Sequence, residues 1–115
     1  MPQSEMPIFV RSFDFLSWLM PMTNHFPKAQ RFTVTKRLLD ASFEMREQLE
    51  AAQHRRGIER IKSLQSADEA LSKVRMYLRL CHHWSWMSMG QYEHASRALN
   101  EIGRLLGGWQ KKTTN

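Results

Sequence analysis

Cysteine is almost missing from this 115-residue chain: Cys81 stands alone, so no internal disulfide can form and packing must hold the fold. A single thiol also fits a reducing, cytoplasmic setting. Glycine and proline are scarce, at five and four residues, and neither type interrupts residues 28–56. No stretch alternates β-branched and polar residues between turn residues, so strand signals are lacking. The longest apolar segment, residues 15–22, is far short of the ~20 residues a membrane span needs. The start has no basic region followed by a long apolar stretch, so a soluble, unexported chain with no membrane partner is expected.

Catalytic signatures are absent as well. There is no Gly-rich phosphate loop, no nucleophile elbow and no Ser, His, Asp pattern. Cys81, His82 and His83 are consecutive and diverge on a helix. With His94 further along they still lack the i, i+4 histidine pair of helical zinc sites, so no metal or other cofactor is expected. His25 and His54 are isolated. Asp40, Glu44, Glu47 and Glu50 fall away from the apolar row of their helix and read as a solvated face. Neither an enzyme nor a small-molecule substrate is expected.

What the chain does contain is helix and positive charge. Hydrophobic residues make up 42% and charged residues 24%, close to the globular average, and the length suits a single domain. Pro7 suits the first turn of a helix over about 8–23, bent or ended by Pro21. Its apolar residues form two rows: Phe9, Phe13, Leu16, Met20 and Ile8, Phe15, Leu19, Met22. A second helix is expected over 27–53, with Val34, Leu38, Ala41, Met45, Leu49 and Ala52 on its core side. Steps of three and four from Ile61 through Leu64, Ala67, Leu71, Val74 and Leu78 to Cys81 predict a third over 58–83. Ser88 and Gln91 form a capping-box signature for a fourth over 89–109, with fraying from Lys111 to Asn115. Short connections make this an all-α, up-down-up-down antiparallel four-helix bundle.

Phe32, Leu39 and Phe43 form a second apolar row on the second helix, more than a lone bundle hides. Either tilt widens the core, or the row is an oligomer interface. Gly103 and Gly107, four apart, suggest close approach of another backbone or simply the end of the helix. The connector WSWMSM (Trp84 to Met89) is apolar for a loop. Trp84 and Trp86 seal the bundle end or dock a partner protein.

Seventeen Lys and Arg against eleven Asp and Glu give +6 and favour a polyanionic partner. The candidate nucleic-acid-binding residues are Lys28, Arg31, Arg75, Arg79, Arg97 and Arg104. Arginine suits phosphate because its planar fork donates two parallel hydrogen bonds. For each alone, a solvated surface residue with a local partner, such as Arg97 with Glu93 or Glu101, is the competing reading.

The stretches PIFVRSFDFLSWL (Pro7 to Leu19), FPKAQRF (Phe26 to Phe32), KVRMYLRL (Lys73 to Leu80) and GQYEHASRALNEIGRLLGGW (Gly90 to Trp109) resemble the accessory variability determinant (Avd) proteins of diversity-generating retroelements. EIGRLLGGW is the most specific. Relatives encoded in ribosomal RNA intervening sequences share the bundle. The resemblance implies a homopentameric barrel, non-catalytic, that binds the element's reverse transcriptase and its template RNA or cDNA during mutagenic copying. Five copies would carry about +30. Arg31, Arg75, Arg79 and Arg104 lie in the matching motifs. A bundle that makes protein contacts only, a relative encoded in a ribosomal RNA intervening sequence, and a small metalloenzyme built on Cys81 and the histidines are the other readings.

Overall fold

The computed structural model describes residues 6–114. They form four helices: α1 (Pro7–Thr23), α2 (Val34–Gln53), α3 (Gly57–His83) and α4 (Met89–Thr114). Each helix packs on the next, α4 closes back on α1, and the diagonal pairs make no close backbone approach. The result is an elongated bundle of 44 × 26 × 22 Å. The expected periodicities supply the core: Ile8, Leu19, Leu38, Met45, Leu49, Leu64, Val74, Leu78, Leu99, Ile102 and Leu106 are almost wholly buried. Of the two α1 rows, Ile8, Phe15, Leu19 and Met22 point inward. From the other row only Phe9 is buried, while Phe13 and Met20 face out.

Two helix bounds differ from the expected ones. The segment after Pro27 is not yet α2 but a single 3-10 turn over Lys28–Gln30. Thr33 then leaves the helical path (φ −118°, ψ −103°), and α2 starts at Val34. Phe32 therefore sits in the turn and not in register with Leu39 and Phe43, and it is 79% exposed. Phe43 is also exposed, whereas Leu39 is half-buried against the core. At the other end, α4 runs through Gly107 and Gly108 to Thr114 instead of stopping at Trp109. Trp109 explains this: it is buried edge-on to Phe9 (5.9 Å) under the Arg60 guanidinium (5.8 Å), which anchors the turn that follows. Lys111 and Lys112 in that last turn also suit the negative end of the helix dipole.

The connectors α1–α2 and α3–α4 lie at one end of the bundle, where Phe26 packs on Trp86 (5.7 Å). α3 ends in a Schellman motif. The Trp86 N–H donates to the Cys81 carbonyl (2.9 Å), the Ser85 N–H donates to that of His82 (3.0 Å), and Ser85 is left-handed (φ 64°). This turn folds Trp86 and Met87 back over the bundle end, with Met87 buried. Trp84, against Trp86 at 5.2 Å, keeps 45% of its surface exposed. The capping box opens α4 as expected: the Gln91 N–H donates to Ser88 Oγ (3.1 Å), and the Ser88 N–H donates to Gln91 Oε1 (2.9 Å). The opposite end holds the three-residue α2–α3 turn, where Gly57 takes the positive φ of 58°.

Candidate nucleic-acid interface

Folding this sequence up and down sorts its charges. Residues 15–39 contain four Lys or Arg and no Asp or Glu, and residues 70–92 contain three and none. The rest of the chain holds ten cations against eleven carboxylates. The topology brings both carboxylate-free stretches to the connector half, since one spans the α1–α2 connection and the other the α3–α4 connection. Divided at the helix midpoints, the larger share of the net positive charge thus lies in the connector half. Asp40, paired with Lys36 (2.6 Å), and Glu93, in the second turn of α4, are acids that enter this half.

The arginines and lysines differ in how far they are free. Lys28, Arg31, Lys73 and Arg79 are exposed and have no side-chain partner among the described residues. Away from the connectors, many cations are engaged. Arg46 pairs with Glu50 (2.7 Å), holding that carboxylate below its usual range, and lies over the Phe9 ring. Arg55 donates to Ser63 Oγ (2.6 Å), and Arg60 Nε donates to the Ala52 carbonyl (2.9 Å), closing the end of α2. Arg104 makes a two-pronged pair with Glu101 (3.1 and 2.7 Å), which lowers the Glu101 pKa. Its charge is locally answered. Arg97 stays exposed on α4.

Four grooves run between neighbouring helices, and they differ in sign. The α2–α3 groove mixes Arg37 and Lys73 with Asp40, Glu44 and Glu69. Near Trp109 the α4–α1 groove is lined by Leu105, Arg104 and Lys112. The α3–α4 groove carries Arg75 and Arg79 beside Ser72, Ser96 and Tyr92, with no carboxylate. Tyr92 stacks flat on His82 (4.4 Å, 3° between planes) and gives the groove an aromatic wall. The α1–α2 groove has Lys28 and Arg31, again without a carboxylate.

Arg75 and Arg79 share a groove but not a role. Arg75 reaches across to α4, Nη1 donating to Asn100 Oδ1 (2.8 Å) and Nη2 to the Leu99 carbonyl (3.2 Å). Gly103 makes room for it, since a methyl at position 103 would stand 3.0 Å from Nη2. The small residue accommodates a guanidinium, not a second backbone. Nothing lies within 4 Å of the corresponding point at Gly107. Arg75 thus presents a positive surface fixed in place by α4, while Arg79 projects freely.

The residues weighed for metal chemistry serve packing. Cys81 is fully buried, and burial pushes its thiol up to about 11. His82 stacks on Tyr92, and His94 lies on Trp18 (4.6 Å). Among the described residues no three His, Cys, Asp or Glu converge.

The match to the bAvd-like family model extends over residues 8–113, all four helices. This chain belongs to the bAvd-like family. Among solved structures it is similar to a protein of unknown function from the S23 ribosomal protein family of Bacteroides thetaiotaomicron. The TM-score is 0.82 at 19% identity, covering 90% of this chain and 95% of that one. At this identity the likeness speaks to the bundle fold. No curated protein matches.

Proposed function

We propose that this bAvd-like protein is a non-catalytic accessory subunit of a retroelement. Its connector half binds template RNA or cDNA and holds it beside the element's reverse transcriptase during mutagenic copying. The observation that carries this reading is the charge segregation: seven cations and no carboxylate in the two stretches that meet at one end. A field of one sign concentrates a polyanion and releases its counterions on binding. Tethering two partners to one scaffold raises their effective concentration.

Self-assembly, as a pentamer in the family reading, is part of the proposal. Its support is apolar surface outside the connector-end groove, where Phe13 (62%) and Phe43 remain exposed on α1 and α2 and Phe32 on the turn between them. Met20 and Leu39 flank one groove, and Arg46 covers Phe9 further along, so Phe13 and Phe43 lie at intermediate levels of the same seam. A bundle acting through protein contacts alone is the second reading, favoured by the exposed indole of Trp84.

The test is salt dependence. Replacing Arg31 and Arg79 together with Gln should weaken single-stranded RNA binding and lower the slope of log K against log salt by about 1.4. Arg56→Gln with Lys62→Gln, at the other end, should leave both near wild type. Equal losses from the two pairs would contradict the reading. Polymerase binding that survives high salt and nuclease would favour the second.

A further inference from the structure

At the connector end the α1–α2 seam opens into a groove of about 510 Å³, a volume within the range of small-ligand sites. Met20, Phe26 and Leu39 give it apolar walls, Lys28 and Arg31 supply charge, and Thr35 completes the lining. Thr35 is only 8% exposed, yet its Oγ1 has no hydrogen-bond partner among the described residues. A buried hydroxyl left unpaired is destabilising, so a partner from outside would satisfy it. Thr35 also lies in the first turn of α2, whose N–H groups receive no side-chain cap. Thr33, the residue before the helix, turns its hydroxyl to Gln30 instead (2.6 Å to Oε1). The first turn holds no acidic residue, so the positive end of the helix is not answered locally.

We propose that this groove is a pocket for one nucleotide of a single strand. Its phosphate is bound by Lys28, Arg31 and the Thr35 hydroxyl, and its base lies against Met20, Phe26 and Leu39. The pocket deepens the nucleic-acid reading above and rests on it, adding a discrete, saturable subsite to a diffuse field. A phosphate uses a guanidinium fork, an ammonium and a hydroxyl at once. The base supplies a flat apolar body, which the side chain of an acidic peptide lacks, to cover the Phe26 and Met20 walls.

The test titrates the full chain with a nucleoside 5′-monophosphate, the parent nucleoside and a short acidic peptide, following amide and methyl NMR shifts. The phosphorylated form should bind saturably, with shifts confined to residues 20–39. Thr35→Val keeps the shape and removes the hydroxyl. It should raise the thermal midpoint and weaken the monophosphate about tenfold. Binding of the nucleoside should stay close to wild type. A merely structural threonine would alter the midpoint alone, and that outcome overturns the pocket. So does preference for the peptide. Shifts at Met20, Thr35 and Leu39 that follow protein concentration and not ligand, as when a second copy covers the groove, overturn it too. Long RNA binding that persists in any of these cases leaves the broader reading intact; loss of salt-dependent RNA binding in wild type defeats both.

Discussion

Cys81 shows how one residue reports on the core. Burial lifts its thiol from an ordinary value of 9.0 to about 11. Below pH 9 the group is neutral in both folded and unfolded chains, and its contribution is intact. Between 9 and 11 the unfolded chain sheds the proton while the folded one keeps it, so stability falls by about 1.4 kcal/mol per pH unit from this group. Urea midpoints should therefore drop more steeply over that window in wild type than in Cys81→Ala, and parallel slopes would contradict the assignment. Other residues carry roles that spacing alone does not announce. Lys28, Arg31 and Arg79 are legible as exposed cations because they stand off every apolar row. The tie from Arg75 to α4 depends on which groove the third and fourth helices share. The unpaired hydroxyl of Thr35 depends on a turn that the sequence disguises.

At the scale of elements, the 3.6-residue periods were enough to place all four helices, because each buries one continuous stripe. Their ends were harder to read. Proline opens a 3-10 turn as readily as an α-helix, since either begins with an N–H that has no internal partner, so Pro27 looked like the start of α2. The Gly107–Gly108 pair looked like a stop, yet burial of Trp109 against Phe9 carries the helix through it. The α3 terminus offers a test of local geometry. Ser85 occupies the left-handed position of a Schellman motif, where glycine is free of the Cβ penalty of about 1 kcal/mol. Ser85→Gly should raise stability by roughly 0.5–1 kcal/mol in urea unfolding without moving Trp86, as read by its fluorescence. A loss of stability would mean that the serine side chain supports the connector.

For the whole molecule, the decisive property is that chain topology brings two separated sequence features to one end of the bundle. The carboxylate-free runs 15–39 and 70–92 are visible in the sequence, but they mean little until antiparallel packing sets both connectors at one end. The opposite end, with the α2–α3 turn, is also rich in cations but spends Arg55 and Arg60 on closing helices. The middle of the α1–α2 seam, at Phe13 and Phe43, then leaves a side of the bundle for self-assembly, while the α3–α4 groove faces away from it. The most direct measurement is a map of RNA contacts by ultraviolet crosslinking and mass spectrometry of the intact protein. Crosslinks concentrated in residues 24–39 and 70–92 are the predicted result. A footprint centred on Arg55 to Lys62 and on Lys111 and Lys112, at the other end, would contradict the account.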